Sequence, residues 1–117
     1  MIREKRRYIL VEASEPIGGG GATQGAGDFE KDLYAALRSE LGGIHYFSAN
    51  PRIALYIGDR AFIVKCSLRC FPDMILALAM IKRLGNRDIG LYTLKSSGTM
   101  RALKAFQTFG GNDGKRL

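Results

Sequence analysis

Strand-like and helix-like segments follow one another along this chain in the order strand, helix, strand, strand, helix, strand, and a last helix-like run closes the series. That order predicts an α/β (α+β) domain, a ferredoxin-like β-α-β-β-α-β sandwich with an added C-terminal helix. Two further observations support it. A glycine-led turn, Gly58-Asp59, joins the two middle strands as a hairpin. The 117 residues, 46% of them hydrophobic, suit one domain with one core. We place that domain at residues 1–109 and read 110–117 as a basic flexible tail.

The first strand runs from Arg7 to Ala13, with Ile9 and Val11 on one side and Tyr8 and Leu10 on the other, so both of its faces call for cover. Ser14 to Gly27 reads as a flexible loop, because its glycines and small polar residues cannot hold a packed core. The consecutive glycines do not make a nucleotide site: no lysine follows in the Walker pattern and no Gly-x-Gly-x-x-Gly spacing fits. Asp28 is a natural N-cap for a first helix, with Glu30 and Asp32 in its first turn, and Phe29, Leu33, Leu37 and Leu41 form one apolar stripe that Gly42-Gly43 stops. His45 follows as an isolated, exposed or partly packed loop residue.

In the hairpin, Arg52 to Ile57 and Ala61 to Ser67 flank a two-residue turn. That register sets Leu55 opposite Phe62 and Ile53 opposite Val64 on one face and leaves Arg52, Tyr56, Ile63 and Lys65 on the other. Pro72 and Asp73 open a second helix expected to reach Leu84, with Gly85 as its stop. Its residues Met74, Ile75, Leu76, Leu78, Met80 and Ile81 leave little polar face. A fourth strand is expected over Ile89 to Leu94 and a third helix from Thr99 to Gln107. Two-sided apolar strands and this second helix carry more apolar surface than a small sandwich covers. The third helix folding over the sheet, or a partner, would cover it.

The charge is uneven. Residues 1–50 hold six basic and seven acidic side chains, whereas residues 51–117 hold twelve and four, which sums to a net charge of +7. A field of that sign favours polyanions, with nucleic acid or an anionic membrane surface as the candidates, and charge alone does not choose between them. No apolar run is long enough to span a membrane and the charged N-terminus lacks a signal-peptide pattern, so a cytoplasmic location and no membrane partner are expected. Cys66, Cys70 and His45 cannot complete a four-ligand zinc site from Cys and His alone, and Cys66 reads as a buried, reduced thiol. The eleven acidic residues are scattered and no nucleophile has an evident histidine partner, so neither metal-dependent nor nucleophilic catalysis is legible and no catalytic residue is assigned.

The most specific stretch lies between the last strand and the last helix, where Lys95-Ser96-Ser97-Gly98-Thr99-Met100-Arg101-Ala102-Leu103-Lys104 places hydroxyls and a glycine at a helix start among three cations. Ser97 or Thr99 can cap the helix, Gly98 lets a ligand approach the backbone, and Lys95, Arg101 and Lys104 add charge, a combination suited to phosphate. Ser97-Gly98-Thr99-Met100-Arg101-Ala102 resembles the Ser-Gly-Thr-Ile-Arg-Ala signature of the small basic protein subunit of archaeal and eukaryotic ribonuclease P (the ribonuclease P protein component 2 family). Further matches occur in the family's order: Arg3-Glu4-Lys5-Arg6-Arg7-Tyr8-Ile9, Ala49-Asn50-Pro51, Ile63-Val64-Lys65-Cys66-Ser67-Leu68-Arg69 and Ala77-Leu78-Ala79-Met80-Ile81. The glycine-rich insert departs from the family's pattern.

The resemblance implies a subunit of a ribonucleoprotein endonuclease whose RNA carries the active site and removes the 5′ leader from precursor tRNA. The chain would bind and stabilise that RNA through Arg3, Lys5, Arg6, Arg7, Lys95, Ser97, Gly98, Thr99, Arg101 and Lys104. It would bind no cofactor or metal itself, since the divalent ions, magnesium foremost, serve the RNA. The implied partners are the catalytic RNA, precursor tRNA and other protein subunits, especially the larger barrel-shaped one, in a heterotetramer. The base-stacking signature of RNA-recognition domains is absent from the third strand, Ala61-Phe62-Ile63-Val64-Lys65-Cys66, so an open sheet reading splayed bases is not expected. A small ferredoxin-like regulatory domain that binds a metabolite is the alternative the fold leaves open.

Overall fold

The computed structural model describes residues 5–17 and 26–104. Arg3, most of the glycine-rich insert and the basic tail lie outside these residues. β1 (Arg6–Ala13), β2 (Arg52–Ile57), β3 (Ala61–Ser67) and β6 (Leu91–Ser97) form one antiparallel sheet in the order β2-β3-β1-β6, the ferredoxin-like order. α1 (Ala26–Leu41) and α3 (Phe71–Met80) lie on one face, a short α2 (Gly43–Ala49) precedes β2, and β4 (Arg83–Leu84) pairs with β5 (Arg87–Asp88) beside the sheet.

The expected two-sided burial of β1 is what the sheet shows. Ile9 and Val11 join Phe62 and Val64 against Phe29, Leu33, Leu37, Met74 and Leu78 of the helices, all of them buried. On the other face Leu10 and Ile63 pack against Leu103, with Met100 beside them. Residues 100–104 are helical, so the chain's own C-terminal helix covers this part of the sheet.

Several local expectations are corrected. α1 begins at Ala26, two residues before Asp28, so the end of the predicted loop is already helix. The start of that loop is tied down: the Ser14 N–H donates to Gly90 O at 2.9 Å, the Ile17 N–H to Asp59 O at 2.7 Å, and Ile17 is buried. Gly42 at φ 83 ends α1 as expected, but the chain turns at once into α2, which carries His45 exposed on a helix rather than a loop. The hairpin turn holds three residues, not two, so Tyr56 faces Phe62 and Leu55 faces Ile63. A one-residue register shift at Ala54 then restores the expected Ile53–Val64 pair. Tyr56 thereby joins the helix-side core and Leu55 the other face, the reverse of the predicted sides. The second helix ends at Met80 because Ile81 turns extended, at φ −75 and ψ 121. The chain then folds into β4 and β5 around Gly85-Asn86, so Gly85 is a hairpin residue, not a helix stop. The last strand starts at Leu91 and reaches Ser97, so most of the junction's first residues belong to the sheet.

Gly85 sits at φ 60, and a Cβ there would lie 2.7 Å from Asp32 Oδ2. The carboxylate is the end of a side chain that can swing aside, whereas the left-handed backbone strain stays with any L residue. Gly85→Ala is expected to lower unfolding free energy by about 1–2 kcal/mol in urea melts, Gly85→Asn by less, and Asp32→Ala should not restore the loss.

Candidate nucleic-acid interface

Because β1 runs antiparallel to both neighbours, its first residues lie beside the last residues of β3 and β6. Arg6 is paired with Ser67, Tyr8 with Lys65 and Ser97, and Leu10 with Lys95, while Arg52 at the start of β2 is opposite Lys65. One end of the sheet therefore gathers Arg6, Arg7, Arg52, Lys65 and Ser97. Lys5 precedes β1 there, its carbonyl accepting the Leu68 N–H at 2.9 Å, and Arg69 follows β3.

Alternation along the strands sorts these side chains between the faces. Arg6, Tyr8, Lys65, Lys95 and Ser97 hold register positions on the face of Leu10 and Ile63. Arg7 and Ser96 fall on the helix side, where the Arg7 guanidinium lies 5.1 Å from the centroid of Phe71 and its Nη2 donates to Ser96 Oγ at 3.4 Å. The Arg7 Nε is buried and has no hydrogen-bond partner among the described residues. A Cβ on Gly98 would come 3.9 Å from Arg7 Nη1, so this cation lies directly beneath the glycine of the junction.

The junction itself is a capped helix start. The Thr99 N–H donates to Ser97 Oγ at 3.2 Å and the Ala102 N–H to Thr99 Oγ1 at 3.3 Å, which makes Thr99 the N-cap. Gly98, Thr99, Arg101 and Lys104 are exposed, as are Lys5, Arg6 and Lys95; Arg7, Ser96 and Ser97 are half-buried. Of the predicted site residues the structure thus brings nine to one region, and Arg3 lies outside the described residues. Lys65, Arg52, Asn50 and Arg69 were not assigned. The hairpin pattern had already put Arg52 and Lys65 on one face; what it lacked was the pairing of β3 with β1, which sets Lys65 beside Tyr8.

The two ends of the sheet differ in how their charge is matched. At the far end Arg83 Nε lies 3.2 Å from Asp88 Oδ1, and Arg87 reaches Glu15 at 3.8 Å and the carbonyls of Pro16 and Ile17. Arg60 donates to Ser14 O at 3.2 Å. At the near end Arg6, Lys65, Arg69 and Arg101 form no ion pair with a described acidic residue. Among the described residues, no group of three or more His, Cys, Asp or Glu side chains is placed to hold a metal ion.

A four-stranded ferredoxin-like sandwich with basic residues gathered at one end of the sheet and a hydroxyl-capped glycine junction is the class these observations define. Residues 7–107 match the model of the Rpp14/Pop5 family, and the chain belongs to that family. It is similar to ribonuclease P protein component 2 of Aeropyrum pernix, 32% identical over 110 residues that cover 92% of this chain and 87% of that protein. Its fold is similar to that of a chain in the cryo-EM structure of yeast ribonuclease MRP, with a TM-score of 0.62 at 12% identity over 100% of this chain and 99% of that one.

Cys66, just behind the cationic end, is 1% exposed, and burial pushes its thiol up to about 11 from an ordinary value near 9, with Cys70 adding to the rise and Arg7 opposing it. Between those values the unfolded thiol has lost its proton while the folded one keeps it, so stability falls as pH rises. Wild-type protein should lose at most about 1.4 kcal/mol per pH unit above pH about 9 relative to Cys66→Ala, a gap that urea midpoints between pH 8 and 11 would display.

Proposed function

We propose that this ribonuclease P protein subunit assists RNA-catalysed removal of the 5′ leader from precursor tRNA, by binding and stabilising the catalytic RNA through the cationic end of its sheet. The observation that carries the reading is the meeting of Lys5, Arg6 and Arg7 with Lys95, Ser97, Gly98, Thr99, Arg101 and Lys104 at one exposed edge, although ninety residues separate them in sequence. Arg3, which precedes them, extends the same run. Lysine and arginine there neutralise phosphates and lower the repulsion between RNA segments that must close on each other. Hydroxyls and backbone N–H groups at the capped helix start orient such contacts without reading sequence. Bond breaking, and the magnesium it uses, stay with the RNA.

Other protein subunits, a larger barrel-shaped one among them, would meet the helix-covered side of the molecule in a heterotetramer. Ile44, Phe47, Leu76 and Met80 are exposed there, and Leu76 and Met80 line a groove with Glu40, Leu41, His45, Asp73 and Ala77. An apolar groove with acidic sides among α1, α2 and α3 suits a protein surface better than RNA.

Arg101→Ala with Lys104→Ala, two exposed changes, should leave the melting temperature within about 2 °C. In the reconstituted enzyme the pair should lower cleavage severalfold at limiting magnesium and much less at saturating magnesium; unchanged cleavage at limiting magnesium overturns the reading. A Leu76→Asp, Met80→Asp variant should keep its fold and fail to co-purify with the other protein subunits.

A further inference from the structure

The junction accounts for β6, the helix after it and the start of β1, and it leaves the other half of the cationic end without a role. On that half a small pocket is lined by Arg6, Ala49, Asn50, Lys65, Cys66 and Ser67. We propose that this pocket is a second phosphodiester-binding subsite, in which Arg6, Lys65 and the Asn50 amide hold an RNA backbone that continues across the sheet from the Ser97–Thr99 junction. The proposal rests on the RNA-binding reading above, shares Arg6 with it and extends it to Lys65 and Asn50, which that reading does not use.

Three observations point to an anion. Arg52 and Lys65 face each other directly across β2 and β3, and Arg6 is the next residue along on β1 on the same face as Lys65. Like charges directly opposite on a sheet destabilise it. Neither Arg6 nor Lys65 forms an ion pair with a described acidic residue. Arg52 instead donates to Pro51 O at 2.7 Å and lies 5.8 Å from the centroid of Tyr34, which leaves Arg6 and Lys65 as the cations that line the pocket. By contrast Arg83 and Arg87 at the other end of the sheet each reach a carboxylate, Asp88 and Glu15.

The pocket is also built, not incidental. Asn50 adopts φ 48 and ψ 56 as the C-cap of α2, its N–H donating to Tyr46 O at 2.9 Å, which fixes the backbone carrying its amide beside the two cations. Ser67 donates to Ser48 O at 3.1 Å and ties the floor of β3 to the end of the same helix. The Asn50 amide supplies donors that bend with no charge of their own, and Lys65 and Arg6 supply the field, a set that suits a phosphate oxygen.

Spacing supports one continuous track. Lys65, Tyr8 and Ser97 are register partners on three adjacent strands, so the pocket and the junction lie about 10 Å apart across two strand spacings of about 4.8 Å. A nucleic-acid backbone laid across the strands there meets Lys65 and Arg6 on one side of Tyr8 and Ser97 and Lys95 on the other.

The test is binding of the full-length protein to ribonuclease P RNA, followed by fluorescence anisotropy from low to moderate salt, with thermal melting of the same variants. Lys65→Ala should bind about three- to tenfold more weakly and lower the slope of log affinity against log salt by about 0.7–0.9, the value of one lost phosphate contact, while Lys65→Arg keeps both. Melting of Lys65→Ala without RNA should be unchanged or higher, since no ion pair with a described acidic residue is lost and a cation beside Arg6 is removed. Asn50→Gly, which keeps the αL cap, should weaken binding without altering the salt slope. If Lys95→Ala with Arg101→Ala lowers the slope and Lys65→Ala does not, the second subsite is overturned and the RNA-binding reading stands. If Lys65→Ala binds more weakly only in proportion to a lower melting temperature, its role is structural and the proposal is overturned. If the wild type shows no salt-dependent binding at all, the functional reading itself falls.

Discussion

Everything in this molecule depends on β1 lying between two antiparallel neighbours. A strand so placed is hydrogen-bonded along both edges and covered on both faces, which is why Ile9, Leu10 and Val11 can all be buried in succession. The same placement decides where the charge goes. An antiparallel partner ends where β1 begins, so the cations at the start of the chain and the glycine junction near its end are set side by side by backbone pairing alone. No attraction between them is needed; as like charges they repel, and the ladder hydrogen bonds and the buried apolar residues hold them against that repulsion.

The second face of the sheet ties the cationic end to the core. Leu103 is fully buried against Leu10 and Ile63, and a leucine so placed contributes about 1.5–3 kcal/mol. The helical residues that carry it also carry Arg101 and Lys104 on their exposed side, and they begin at the Thr99 cap. The helix is therefore both the cover of an apolar patch and the mount of two cations. Such a mount would matter for binding a polyanion: backbone positions fixed in advance leave less ordering entropy to oppose association.

Much of this was legible in the residues. The alternation in β1, the Phe29–Leu33–Leu37 stripe and the Ser-Gly-Thr junction are local patterns, and each led to the right element. The misplacements share one cause, which is that local signals do not report what a neighbour requires. Gly42-Gly43 ends a helix, but nothing nearby shows that Gly43 starts another; Asn50 closing α2 with a left-handed cap is a signal only once that helix is known. Met80-Ile81 continues a helical apolar pattern, yet the chain leaves the helix because Ile81, Leu84 and Ile89 are all buried in the helix-side core from the β4–β5 connection. The candidate site was read from its two best motifs and missed Lys65, because its position beside Tyr8 is a property of a pairing between residues far apart in sequence.

The two register shifts show how the sheet serves its charged end. If β2 kept the register set by its three-residue turn, Ala54 would face Val64 and Ile53 would face Lys65; the shift at exposed Ala54 moves Ile53 to Val64 on the core side and Arg52 to Lys65. If β6 kept the register it has at Val11–Thr93, Lys95 would sit opposite buried Ile9 on the helix side. The shift at Leu94 moves it opposite Leu10 and turns Ser96 toward Arg7. Burying an ammonium group beside Ile9 would cost several kcal/mol, whereas Leu94 and Ala54, the two residues passed over, lie at the surface. In both strands one extra residue thus lies between the half that continues to the far end and the half that carries a basic residue at the cationic end. A bulge re-aims side chains without a change of fold, and here both bulges re-aim a basic residue at the same end of the same sheet.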